Sequence, residues 1–302
     1  ALDQGVDPEQ VAELQQRLKA YAAANPDAPW ILGRGWNQEL WPDKRFPTAA
    51  DLDAVVPDRP VWLERVDGHA SVGNTAALKA AGITAAIKDP AGGKIERDAA
   101  GQPTGLFVDT AANLVQRVVP SPTPAQREQA LLAAQKLLLE NGLTTVADMG
   151  TTADEWAAMQ QLYGDGRLQV RVISYAGGTD NLRAIAPNGP SEWLHGDRLR
   201  LVGVKLYADG ALGSRGAWLK QPYADAPTRG LALLTPGQLR EQAGSAATKG
   251  FQLAVHAIGD AANDMVLTTF EQLGAAKGDR RWRVEHAQVV DVVDLARFAK
   301  AK

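Results

Sequence analysis

The chain contains no cysteine, and its 302 residues hold only four histidines. Without thiols, a disulfide framework and thiolate metal sites are both excluded, although the redox compartment stays open. Neither sign of charge dominates: 32 Lys+Arg against 35 Asp+Glu leave a formal net charge of -3. No run of Lys/Arg stands ready to neutralise phosphates, so no nucleic-acid partner is expected. No stretch approaches the ~20 apolar residues that a membrane span needs, so no span is expected either. Residues 1–10 lack the basic-then-apolar pattern of a secretory signal, which reads as a leaderless chain or one already cut. The expected setting is cytoplasmic. What remains is ordinary globular composition, 45% hydrophobic and 22% charged, enough for a sizeable core.

The apolar pattern alternates along the chain. Runs at 30–32, 61–66, 143–147, 169–174, 199–207, 252–255 and 282–285 predict strands. Helical spacing covers 8–24, 124–141, 153–163, 235–249, 261–273 and 292–300. Pro124 near a helix start and Gly142 after Asn141 follow the N-terminal proline, C-terminal glycine asymmetry. From residue 124 onward helix and strand take turns, the mark of βα units and a parallel sheet. Residues 30–120 differ. They carry short helices and a Gly-rich stretch at 91–105 that predicts a hairpin. The expected organisation is a helical barrel segment at 1–29, an inserted α+β subdomain at 30–120, and βα units of a barrel at 121–302.

Parallel α/β folds gather their chemistry at the carboxyl ends of the strands. There Asp148 closes GLTTVADMG, Lys205 sits in LRLVGVKLYADG ahead of Asp209, His256 ends FQLAVH, and His286 ends RWRVEH. Any one of these is by default a solvated group at the rim. Lys205, His256 and His286 on successive strands, each after an apolar run, point instead to a shared polar site. Imidazole nitrogens suit zinc and other divalent ions. Lys205 is the odd member, because an ammonium repels a cation unless burial or chemical conversion removes its charge.

Three segments in this order, VKLYADGALGSRGA, LAVHAIGDAAND and RVEHAQ, resemble the amidohydrolase superfamily. With WILGRGWNQELWPDKRFPTAADLDAVVPDRPVWLERVDGHASVGNTAAL and GLTTVADMG upstream, they resemble its family 3 branch. That branch comprises metal-dependent hydrolases similar to N-substituted formamide deformylase. The resemblance covers nearly the whole chain and implies a distorted (β/α)8 TIM barrel of the α/β class. It implies one or two divalent ions, zinc the expected metal, held by an HxH pair on the first strand and a carboxylated lysine on the fourth. Histidines on the fifth and sixth strands and an aspartate on the eighth complete that set. By position, Lys205 would be the carbamate, and His256 and His286 the two later histidines. The implied reaction is hydrolysis of a small amide at its carbon–nitrogen bond by a metal-activated water.

Smaller expectations attach to other residues. The family resemblance implies that Asp67 and His69, in VDGHA, reach over the substrate; the other reading is a loop histidine bonded to Asp67 for local structure. Trp36 and Trp41 would line an apolar pocket or simply pack the core. Asp209 and Arg215, on the loop after Lys205, would contact substrate, and Asp148 would support a metal ligand from behind. His195, in SEWLHGDR, reads as solvated surface. The Gly-rich stretch lacks the strand-then-helix context of a phosphate loop, so nucleotide binding is not expected.

The departures from the family pattern are as informative. No HxH occurs anywhere in the sequence. The chain also reads as lacking the flanks that carry the first strand, the last two strands, the terminal aspartate and a small β-sandwich. An incomplete barrel is therefore expected, inactive by itself, binding metal weakly and keeping Lys205 as a free amine. Its open sheet edge would draw copies together into a homo-oligomer. Two other readings stay open: a Schiff-base enzyme using Lys205, and a degenerate barrel serving as a non-catalytic binding module.

Overall fold

Side chains of period two organise the first half of the chain, and helical starts of one recurring type organise the second. The computed structural model describes residues 10–301. The helix start expected at residue 8, and nearly all of the leader reading, lie outside them. Two units are distinguished, one of residues up to 120 with Asp209–Leu233, the other of Ser121–Ala208 with residues 234–301.

The first unit contains α1 (Val11–Ala24), β1 (Ile31–Trp36), α2 (Ala49–Asp53), β2 (Val61–Arg65), β3 (Ala70–Gly73), α3 (Thr75–Ala80), β4 (Gly93–Arg97), β5 (Pro103–Asp109) and α4 (Asn113–Gln116). Its five strands form a mixed sheet in the order β1-β2-β3-β5-β4. β1 and β2 are parallel, and the remaining pairs are antiparallel. Successive side chains leave on opposite faces. Val61 and Leu63 of β2 join Leu106 and Val108 of β5 in one core, with Leu14, Leu18 and Leu52 from α1 and α2. Trp62 and Phe107, one residue out of step, pack with Leu78 and Ile95 on the other face. The hairpin expected at 91–105 is β4 and β5, which pair antiparallel.

The second unit contains α5 (Pro124–Glu140), β6 (Thr145–Thr151), α6 (Ala153–Gly164), β7 (Arg171–Gly177), α7 (Gly178–Ile185), β8 (Leu199–Tyr207), α8 (Pro236–Thr248), β9 (Gln252–Ala257), α9 (Asp260–Leu273), β10 (Arg283–His286) and α10 (Leu295–Ala301). Its strands lie in the order β10-β9-β8-β7-β6, every pair parallel. This is an α/β fold with a parallel half-barrel; the described residues do not close an eight-stranded barrel. Three helices begin with the same capping box, Thr123 with Gln126, Thr152 with Glu155, and Thr235 with Gln238. β8 and β9 are almost wholly buried, as runs that are apolar on both faces require.

Strand β6 starts two residues later than the apolar run at 143–147 suggests. Leu143 belongs to the helix stop: its N–H donates to Leu138 O at 2.9 Å, and that of Gly142 to Leu139 O at 3.0 Å. Gly142 takes a φ of +72° to allow it, the geometry of a Schellman cap. Among the described residues no helix is long and apolar enough to cross a membrane.

Candidate functional site

Strands β8, β9 and β10 lie side by side, so their registers decide which side chains meet. Tyr207 stands opposite His256, and Glu285 opposite His256 from the other side. Lys205 precedes Tyr207 by two residues and shares its face. Its Nζ lies 3.6 Å from the Tyr207 ring centroid, and the Tyr207 and His256 rings are 5.4 Å apart. The His256 and His286 rings meet edge to face, 4.6 Å between centroids. The structure thus brings Lys205, His256 and His286 to the carboxyl ends of three neighbouring strands, with Tyr207 among them.

Local backbone explains how the two histidines are held. His286 ends β10 with a φ of +75°, and Ala287 follows at +44°, so the chain turns sharply out of the sheet. Ala287 N–H donates to Ala257 O at 3.1 Å and Val289 N–H to Ile258 O at 2.8 Å. Asn263 of α9 reaches the same two segments. Its amide lies 2.9 Å from Gly259 O and 3.2 Å from Val289 O, with Ala257 O and Ile258 O at 3.3 Å. One buried amide therefore ties the residues after His256 to those after His286.

Burial also sets the electrostatics. Lys205 is 4% exposed and His256 2%, whereas His286 is exposed. Loss of water pushes the Lys205 ammonium down to about 8, with the Glu285 charge working in the opposite direction. Burial raises Tyr207, and the charge of Asp148 adds to the rise. Burial likewise raises the Asp148 carboxyl, although the Thr151 hydroxyl donates to it. Two imidazoles and an amine poised to lose its proton can offer lone pairs to a divalent ion. Among the described residues no three His, Asp or Glu side chains gather as a metal-holding set. The donors present fit part of one.

The other expected residues, His195 apart, lie in the first unit. Trp36 is buried in its core, packs edge-on against Phe46, and donates from Nε1 to Leu63 O at 2.9 Å. Trp41 belongs to the same core. Arg215 ion-pairs with Asp225 at 2.9 Å and lies over the Phe46 ring. Asp209, fully buried, accepts from Trp218 N–H at 2.8 Å. Asp67 accepts the backbone N–H of His69 at 3.0 Å and pairs with Arg65. The His69 ring bonds not to Asp67 but to Asp109, Nδ1 to Oδ1 at 2.7 Å. His195 is exposed and stacks on Tyr163. Sequence reasoning missed Tyr207, which the two-residue strand period after Lys205 could have found. It also missed Asp109, which lies 40 residues from His69 with no local signal.

A profile of the amidohydrolase family matches residues 2–302. The chain belongs to the amidohydrolase family. It is 40% identical over 292 residues to the protein LONG AFTER FAR-RED 3 of Arabidopsis thaliana, covering 91% of this chain and 49% of that protein. It is 28% identical over 302 residues to the N-substituted formamide deformylase of Arthrobacter pascens, covering 95% and 55%. The crystal structure of an uncharacterized metal-dependent hydrolase from Pyrococcus horikoshii superposes with a TM-score of 0.69 at 30% identity, over 97% of this chain and 56% of that one. The chain spans about half the length of the curated relatives it matches. Membership of this amidohydrolase family, with metal-dependent hydrolases as structural neighbours, implies a divalent ion.

Proposed function

We propose that this amidohydrolase cleaves the carbon–nitrogen bond of small linear amides, with Lys205, His256 and His286 contributing to the site of a divalent ion, zinc the expected one. One observation carries the reading: a buried lysine and two touching imidazoles occupy the carboxyl ends of three neighbouring parallel strands, where such folds build active sites. The similarity to an N-substituted formamide deformylase supports the substrate class. A divalent ion there would polarise the amide carbonyl and lower the pKa of a water towards ~7.

The chain's own residues prepare the rest. With its ammonium brought down to about 8, about a tenth of Lys205 is neutral at pH 7. A neutral amine can add to carbon dioxide, releasing one proton and leaving a carbamate, which converts a repelling cation into an anion. Asp148 would support the site with its charge. The sequence holds no HxH pair, so these 302 residues alone are proposed to bind the ion weakly and to hydrolyse slowly.

Amine release from N-substituted formamides by the zinc-supplemented protein tests the reading. His256→Ala and His286→Ala should each lower kcat/KM by more than about 100-fold, beyond what loss of a merely supporting group costs. Full activity in both variants would overturn it. The depressed lysine also favours a second reading, an imine-forming Lys205. Borohydride trapping of a carbonyl substrate on Lys205 would decide for that chemistry.

A further inference from the structure

Strand β4 is the edge of the first unit's sheet, and the face it shares with the Val108 core changes chemistry there. Lys94 stands opposite Val108 in the β4–β5 register, and Glu96, two residues on, leaves from the same face. The apolar core of that face therefore ends against a paired cation and anion, Lys94 Nζ to Glu96 Oε1 at 2.6 Å. The segment Asp209–Leu233 belongs to the same unit and spans the gap without filling it. A cavity of about 200 Å³ is left. Phe46, Val108 and Leu231 give it an apolar wall, and its charged side chains are Lys94, Glu96 and Arg215. Drug-sized pockets run from roughly 300 to 1,000 Å³, so its occupant must be small.

Arg215 is set in place by the backbone around it. Its φ of +56° is one that L side chains rarely adopt, and such residues persist where their surroundings leave no alternative. The flanking glycines show what those surroundings are. A Cβ at Gly213 would collide with the Arg65 guanidinium, and one at Gly210 or Gly216 with the Asp109 carboxylate. Arg65 is buried, bonded to Gln38 at 2.8 Å and Asn37 at 2.9 Å, and the Asp109 side chain is 1% exposed. Backbone thus closes over two buried charges on either side of residues 214–215. Within the turn, Arg215 N–H donates to Leu212 O and Gly216 N–H to Ala211 O, both at 2.9 Å. The guanidinium lies over the Phe46 ring, 5.7 Å from its centroid. Its Nε and Nη2 both donate to one oxygen, Asp225 Oδ2, at 3.2 and 2.9 Å. A guanidinium has five N–H donors, so that pairing leaves the Nη1 edge for a second acceptor.

We propose that this cavity binds a small monocarboxylate with an apolar body, its carboxylate on Arg215 and its body against Phe46, Val108 and Leu231. Lys94 balances Glu96, and Asp225 balances Arg215, so net charge does not select the ligand. The fork of Arg215 does, because N–H bonds from a guanidinium to an ionised oxygen are roughly twice as strong as neutral ones. Glu96 opposes the same ligand by like charge. The ligand carries no amide bond and is held rather than cleaved. Neither Lys205, His256 nor His286 lines the cavity, so this site stands or falls apart from the hydrolytic reading.

Calorimetric titration of the 302-residue protein with 3-phenylpropanoate and with 3-phenylpropanamide, its neutral isostere, tests this. The carboxylate should bind about 10-fold or more tightly than the amide. Arg215→Gln should bring the two probes to the same affinity, and Glu96→Gln should tighten the carboxylate alone. Ala226→Trp, which places an indole in the cavity lining, should abolish binding of both. If Arg215→Gln fails to fold, the Glu96 and Ala226 variants decide. No carboxylate binding, equal affinity for the two probes, or binding unchanged by Ala226→Trp would overturn the proposal. His286→Ala separates the two sites: it should leave carboxylate affinity unchanged while amine release falls. Loss of carboxylate binding in that variant would overturn the proposal, whereas full amine release would count against the hydrolytic reading alone.

Discussion

Lys205 carries its charge where charge is disfavoured. Unfolded, it titrates near 10.5; folded, it is brought down to about 8 by burial. Between those values the unfolded chain binds more protons, so stability rises with pH across that window, and the penalty is fully present below about 8. Its size is on the order of 3 kcal/mol at ~1.4 kcal/mol per unit. Lys205→Met, similar in length and uncharged, should therefore raise the urea midpoint at pH 7, with the advantage fading towards pH 10. A methionine variant no more stable than the parent at pH 7 would show that the amine is not paying this desolvation penalty as a free lysine. Residue by residue, the sequence exposes groups whose position follows from strand ends, as with Lys205, His256 and His286. It hides Asp109, because a bond across an antiparallel ladder between residues 69 and 109 leaves no trace in local pattern.

Among the elements, α9 acts as a tie as well as a cover. Asn263→Ala removes the amide that serves four carbonyls around the two histidine-bearing strands. It should cost about 1–3 kcal/mol, the range for buried groups left without a partner, and should weaken zinc binding by the same chain. Urea melts and a zinc titration measure both; unchanged values would mean that water replaces the amide. The long helices and buried strands were legible because propensity, caps and burial agree, as at Thr235 and Pro236. Helix α7 was not, because Gly178–Ile185 opens on glycine and buries only Leu182. Short β3 was missed for a related reason: Ala70–Gly73 is too brief to show a period, and its pairing with β2 and β5 defines it.

For the whole molecule, the alternating beat of helix and strand was enough to foresee a parallel sheet, while its closure depends on partners no local pattern reveals. Among the described residues β6 and β10 have one strand neighbour each and are largely accessible. Unpaired N–H and C=O groups on such edges template association. Light scattering of the 302-residue chain should therefore report species larger than a 32.2 kDa monomer. Ala147→Lys, which sets a charge on the exposed side of β6, should shift the distribution towards the monomer. A monodisperse wild-type monomer would show that these edges are protected.

The first unit is assembled from two lengths of chain, with Ser121–Ala208 of the second unit between them in sequence. Its sheet is fully synthesised by Asp109, yet the glycines that close over Asp109 and Arg65 follow about 100 residues later. At typical synthesis rates that interval is roughly 5–20 s. During it, a carboxylate and a guanidinium destined for burial stand in water on an otherwise finished sheet. Translation speed between residues 109 and 216 thus sets when the His69 pair becomes sealed.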